Sequence, residues 1–486
     1  MAAYGLVLRG GSVLDGTGAP AVSTDVAITG DCIAAIGPLP RGSGRQEIDV
    51  AGLTVAPGFI DVHTHDDRAL LATPAMAAKA SQGVTTVVVG NCGISLAPFA
   101  AGRPLPPPLD LIADESARFA SFADYLMALD AAPAATNAAC LVGHSTLRVG
   151  AMDALDRPAS DREIAAMRHA LGEALAAGAI GLSSGLWYAP AVAAPPTELV
   201  ALAKDVSAAG ALYTTHMRDE ADHVLDSLDE TFAVGRDADV PVVISHHKVL
   251  GRQNFGRTHE TLPKIAAAIA AQPLGLDAYP YIASSTVLRP QNVPLALKVL
   301  ITWSKSRPEV AGRELKSIAQ EWGVSEQEAC TRLQPAGAIY FMMNEEDVRR
   351  VLAFEHTMIG SDGLPHDVHP HPRLWGTFAR VLGHYCREER LFPLEEAVRK
   401  MTGLPATRFG LAGRGRLAPG AYADVTVFDA DEIIDRATFE APATPAAGIH
   451  LVLVNGQAVW RDGAATAARP GRALRRQRMQ REARAG

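Results

Sequence analysis

The sequence predicts an α/β chain: a (β/α)8 TIM-like barrel, a small β-sandwich built from both chain ends, and an inserted helical lid. Three observations predict it. Eight apolar, β-branched-rich runs recur through roughly 350 central residues, most of them separated by Ala-rich helical stretches that stop at glycine. Strand-and-turn sequence fills residues 1–57 and returns in 414–468. Finally, about 70 residues separate the last two runs, far more than a βα connection needs.

The N-terminal segments LVLRGGSVLDG, DVAITGDCIAAIG and RQEIDVAGLTVAPG are short strands broken by Gly, Asp and Pro turns. GRGRLAPGAYADVTVFDA and GIHLVLVNGQAVWRDG repeat that texture near the other end, so 1–57 and 414–468 are expected to fold together around an inserted barrel of 58–413. The barrel strands are expected at 59–65, 84–91, 138–144, 179–185, 211–217, 240–247, 274–281 and 356–362. Strands alternating with helices form a parallel sheet, and eight such units close a barrel. The segment 282–345 contains LALKVLITWSK and RELKSIAQEWG, both expected as helices of a lid over the active-site face. The end, 469–486, is expected to be a solvated basic tail.

Composition narrows the functional classes. The chain has 486 residues, 48% apolar and 20% charged, which is ordinary for a globular protein. No apolar run approaches the ~20 residues that span a bilayer, and MAAYGLVLRGG lacks the basic start and apolar stretch of a signal peptide. Five scattered cysteines without a CxxC pair argue against a disulfide framework and for a reducing, cytoplasmic location. Net charge is −8; the tail contributes seven arginines against one glutamate, so the rest of the chain carries −14. An acidic body argues against a nucleic-acid partner. The oligomeric state is not legible.

Polar residues gather at the expected C-terminal ends of the barrel strands, where catalytic groups of this fold sit. His63-Thr64-His65 ends the first, Asn91-Cys92-Gly93 follows the second, His144 ends the third, His216 the fifth, His246-His247-Lys248 the sixth and Asp362 the eighth. Alternation along a strand aims His63 and His65 at one face and turns His247 away from His246. Zinc accepts histidine nitrogen and cysteine sulfur, and a catalytic zinc keeps one position open. Cys92, His216 and His246 would supply three ligands. Asp362 beside them could take a proton from water and return it to a leaving nitrogen. His144 is open between core packing and hydrogen bonding to the site. Asp66 and Asp67 are expected as helix caps or loop charges.

APGFIDVHTHDD (56–67) resembles the first metal motif of the amidohydrolase superfamily. GVTTVVVGNCGISLAP (83–98), TTHMRDE (214–220), VPVVISHHK (240–248), GLDAYPY (275–281), TMIGSDGLPHD (357–367) and HPRLWGTF (371–378) extend the match to the D-aminoacylases, or N-acyl-D-amino-acid deacylases, in order over nearly the whole chain. The resemblance implies a tight zinc site at Cys92, His216 and His246 and a second, weaker metal position at His63 and His65. It implies Asp362 as the general base and acid. Many superfamily members carry a carboxylated lysine at the end of strand four; AIGLSSGLWY has none, and Cys92 takes the bridging place.

The implied substrate is a small molecule, an N-acyl-D-amino acid, hydrolysed to a carboxylate and the free D-amino acid. Its α-carboxylate would be held by Arg373 through a bidentate fork, with Lys248 a second cation and Tyr188, Tyr279 and Ser285 as hydrogen-bond partners. Trp187, Tyr340 and Met343 are the expected specificity pocket, apolar enough for D-Met, D-Leu or D-Phe. The competing reading is a cyclic-amide hydrolase of the hydantoinase or dihydroorotase type, against which the missing strand-four lysine counts.

Overall fold

The computed structural model describes residues 3–99, 102, 105–113 and 117–476. Eight parallel strands follow one another around the barrel: Phe59–Asp61, Val84–Val89, Asn137–Gly143, Gly181–Gly185, Leu212–His216, Val242–Ile244, Leu274–Ala278 and Thr357–Ile359. A parallel bridge between Thr64 and Gly363 joins the first strand to the eighth. Helices such as Asp161–Ala177, Pro196–Ala208 and Val224–Ala238 cover the outside. The first of these begins in a reciprocal cap, Ser160 with Glu163, and stops at left-handed Gly178. The barrel interior is a packed layer that includes Val62, Val88, Leu141, Leu212, Val243 and Met358, and Phe409 and Leu411 close it from below.

Both chain ends contribute to one nine-stranded sheet. Thr54–Pro57 pairs antiparallel with Val425–Phe428, joining the N-terminal strands to the C-terminal ones. A Cys32–Tyr422 bridge adds a second seam, and Leu8, Val26, Ile33, Val425 and Leu453 share its core.

Two expectations are corrected. LALKVLITWSK is not a helix: Lys298–Ser304 is a strand of a three-stranded antiparallel sheet with Ala283–Val287 and Ala336–Phe341. Its Val, Ile and Thr side chains suit a pleated surface better than a helix. RELKSIAQEWG does form a helix, Leu315–Trp322, so the lid is mixed and has its own core around Ile301, Ile318 and Tyr340. The described start of the tail is docked onto the fold rather than free, although the Arg472 and Arg475 side chains stay exposed. Ala473–Leu474 pairs with the third barrel strand, while Arg472 and Arg475 bond Asp31 and Asp130; residues 477–486 lie outside the described residues.

Candidate metal centre and active site

Cys92, His246 and Asp362 hold positive φ angles of 53°, 36° and 50°. Such backbone is costly for non-glycine residues and persists where packing imposes it, often at functional sites. The glycines of GNCG make the turn after strand two, and strand four makes room for it. A Cβ on Gly185 would stand 2.1 Å from the Cys92 carbonyl oxygen. Thus the Cys92 loop lies over the end of strand four, where Ser183 donates to the Gly90 carbonyl and accepts from the Gly93 amide.

The Cys92 sulfur lies 3.2 Å from His63 Nε2 and 3.4 Å from His246 Nε2. His246 Nε2 is 2.9 Å from His216 Nδ1. On the other side, Asp362 Oδ1 lies 3.2 Å from His65 Nε2 and 3.6 Å from His63 Nε2. The donors form two groups within 4.8 Å, His63–His65–Cys92–Asp362 and Cys92–His216–His246, and Cys92 belongs to both. All are buried. Burial alone would raise the Cys92 thiol, but His63 and His246 hold it well below the ordinary thiol range. Burial likewise opposes ionisation of Asp362, yet Arg373 and the histidines hold its carboxyl well below the usual value. A thiolate shared by two histidine sets is a donor set that fits zinc.

Sequence reading missed two carboxylates of this site. Glu220 is buried four residues after His216; it lies 3.1 Å from His246 Nδ1 and accepts from Lys248 Nζ at 2.8 Å. Asp277 accepts from the His246 amide at 2.9 Å and lies 3.4 Å from His63 Nδ1. Both orient histidine rings through the nitrogen that faces away from the cluster. Their only sequence signal was position: Glu220 one helical spacing past a ligand candidate, Asp277 near the end of strand seven.

Asp66 and Asp67 are not loop charges. Both are buried, and Asp66 accepts from Thr64 Oγ1 at 2.7 Å and pairs with Lys79 at 3.2 Å. Lys79 also donates to Asp61 and to Ser361, each at 2.8 Å, and Ser361 donates to Asp61. This buried network ties the first strand to the eighth directly beneath His63 and Asp362. Lys79→Met would leave Asp61 and Asp66 buried without a counter-charge. It is expected to lower stability by about 3–5 kcal/mol, seen as a lower urea midpoint. His144 pairs with Glu198 at 2.8 Å, which also holds Arg148, away from the donor cluster. His247 turns outward to Thr261.

A cavity of 140 Å³ opens beside the donors, lined by His216, His246, Asp362, Trp187, Tyr188, Lys248, Tyr279 and Ser285, with the lid adding Leu295 and Met342. Tyr188 reaches the lid through Thr286 Oγ1 at 3.2 Å. Arg373 is fully buried behind this wall, 3.0 Å from Asp362 Oδ2 and 4.6 Å over the Tyr279 ring, and donates to the Ser285 carbonyl. Among the described residues, its Nε and Nη1 and the Tyr279, Ser284 and Ser285 hydroxyls find no hydrogen-bond partner, though all are buried. Lys248 has its ammonium engaged by Glu220, His246 Nδ1 and the His246 carbonyl.

The specificity pocket needs correction. Tyr340 is turned into the lid's own core, its hydroxyl donating to the Val287 carbonyl and accepting from the Arg289 amide. Met343 packs against Tyr279 and Tyr281, one layer behind the cavity. Met342 takes the cavity position instead. The strand ends at Phe341, so its alternation does not extend to the two methionines that follow.

A family model described as "Amidohydrolase family" matches residues 46–260 and 317–460. The D-aminoacylase of Alcaligenes xylosoxydans xylosoxydans is 58% identical over 97% of this chain and 98% of its own. A D-aminoacylase structure from a study of its binuclear metal centre, with one-metal activation and second-metal attenuation, superposes with a TM-score of 0.95 over 97% of this chain and all of that one, at 58% identity. The N-acyl-D-glutamate deacylase of Bordetella bronchiseptica, complexed with zinc and a phosphonate mimic of the tetrahedral intermediate, also reaches 0.95, at 46% identity, over 97% of this chain and all of its own. On fold, donor set and relatives together, the chain belongs to the amidohydrolase family and, within it, to the D-aminoacylase group.

Proposed function

We propose that the protein hydrolyses the amide bond of N-acyl-D-amino acids with zinc at the Cys92 cluster. One observation carries the reading: a thiolate shared by two histidine sets stands beside a lidded cavity whose buried wall ends in unpaired donors. In this reading Cys92, His216 and His246 hold the tight zinc, and His63 and His65 mark a second, weaker position. Zinc bound there would polarise the scissile carbonyl and make water a nucleophile near neutral pH. Asp362, kept ionised, accepts the proton of the attacking water and passes it to the leaving nitrogen. Glu220, with Lys248 behind it, orients the His246 ring. Glu220→Gln is expected to weaken zinc binding by about 10–100-fold, measured by competition with a chromogenic chelator.

The unpaired groups here, the Tyr279 and Ser285 hydroxyls on the cavity wall and Arg373 Nε and Nη1 directly behind it, can all donate, so the fitting ligand group is an acceptor such as the α-carboxylate. With carboxylate and carbonyl both pinned, only one enantiomer sends its side chain toward Trp187, Leu295 and Met342. That lining supports D-Met, D-Leu or D-Phe. Arg289 supports the other side-chain class: its guanidinium lies 4.0 Å over the Trp187 ring and, among the described residues, reaches only the Trp187 carbonyl, so it could meet an acidic side chain. The test is turnover of N-acetyl-D-methionine, N-acetyl-L-methionine, N-acetyl-D-glutamate and hydantoin, with metal content measured on the same sample. N-acetyl-D-methionine is expected to be turned over fastest. Equal turnover of the L form would sink the stereochemical claim, and hydantoin as best substrate would restore the cyclic-amide reading. The division into a catalytic barrel of 58–413 and a flanking domain of 1–57 with 414–468 belongs to this proposal.

A further inference from the structure

At the opposite end of the barrel lies a larger cavity, of 680 Å³, a volume typical of small-ligand sites. Residues just before or at the start of strands four to seven, among them Ile180, Leu212 and Pro273, form its roof. Phe409, Leu411 and Leu474 form its apolar walls.

Its charge is one-sided. Five arginines line it, and among the described residues no aspartate or glutamate does. Three of the five are compensated from outside the lining: Arg414 by Asp424, Arg472 by Asp31 and Arg475 by Asp130. Among the described residues, the Arg476 guanidinium donates only to the carbonyls of Ala209 and Leu175, and its Nε is buried without a partner. The Arg408 guanidinium makes no hydrogen bond or ion pair with any described residue.

The placement of Arg408 is built into the barrel. Gly275 on strand seven pairs in register with Val243 and shares its inward face. Where the neighbouring strand puts Val243 into the barrel, Gly275 leaves a gap. A Cβ there would lie 2.9 Å from Arg408 Nε. The guanidinium therefore enters the floor of the barrel against a strand that lacks a side chain at that point. Burial with no compensating carboxylate depresses it below its ordinary value. Arg408 is half-buried, and a cation partly withdrawn from water without a carboxylate partner is stabilised by an anion that pairs with it.

We propose that this cavity binds an organic monoanion with an alkyl body, a medium-chain carboxylate, whose head pairs with Arg408 while its chain lies against Phe409, Leu411 and Leu474. The barrel core separates this cavity from the Cys92 cluster, so the inference stands independently of the catalytic reading.

Sodium octanoate is the probe, titrated calorimetrically into the zinc-loaded full-length protein, with octanol and inorganic phosphate as controls. The expected result is a saturable octanoate site that neither control fills and that Arg408→Gln weakens about tenfold or more, the loss of one charge-assisted contact. Arg408→Gln leaves the catalytic cavity intact, so the difference from the parent isolates the floor of the barrel, and its turnover of N-acetyl-D-methionine is expected to be unchanged. Ala412→Trp, at an exposed position of the lining, is expected to block the same site without removing a charge. Octanoate binding unaltered in both variants would overturn the proposal. Octanol binding as tightly would reduce the cavity to a greasy pocket, and phosphate binding as tightly would reduce it to a bare anion site; either result overturns it as well.

Discussion

Cys92→Ala is expected to lose the tightly held zinc and with it nearly all turnover. The sulfur is within 3.2 Å of His63 and 3.4 Å of His246 and is the one atom common to both donor groups. Removing it takes away the proposed ligand and the negative charge that steadies four clustered imidazoles. The loss of affinity should exceed the ~10–100-fold typical of losing an outer hydrogen-bond partner. Metal analysis after dialysis against a moderate chelator reads it directly: the parent retains zinc and the variant does not. Full zinc occupancy in Cys92→Ala would contradict the ligand assignment. The strained backbone of Cys92, at φ 53°, adds a control. Cys92→Ser keeps the side-chain size but offers a poor ligand, so it should behave like alanine in metal content.

Asp362→Asn is expected to separate binding from chemistry. The amide is nearly isosteric with the carboxylate and can still accept from Arg373 at the oxygen now 3.0 Å away, so fold and zinc content should persist. Turnover should fall by about 10²–10⁴-fold, the contribution of a positioned acid or base. Single-turnover kinetics with metal content measured in parallel check both halves. Activity within about tenfold of the parent would remove Asp362 from the proton path. Because Arg373 and the histidines keep the Asp362 carboxyl ionised well below its ordinary range, its protonation should not set an acid limb near neutral pH.

The order of chemical residues along the chain was legible because a parallel barrel maps strand ends onto one face. His63, His65, Cys92, His216, His246 and Asp362 each follow an apolar run, and the topology alone brings such positions together. The lid was legible as an insertion but not in detail. LALKVLITWSK has an apolar pattern that suits a short helix or a strand, and only pairing with Ala336–Phe341 decides it. The same gap explains Met342 and Met343: strand alternation holds within a strand and says nothing one residue beyond its end. The arginines of the tail looked solvated, and Arg472 and Arg475 are exposed; their pairing with Asp31 and Asp130, more than 300 residues away in sequence, was not legible.

By itself the sequence determined the barrel, the shared sheet of the two ends and the donor types, since hydrophobic period, glycine stops and residue chemistry are local properties. The tertiary structure alone decided which carboxylates orient the histidines, which donors stay unpaired on the cavity wall, and that Cys92, His246 and Asp362 sit in left-handed backbone. It also decided that Arg408 enters the barrel floor opposite Gly275. These depend on distances between residues remote in the chain, and no window of sequence contains both partners.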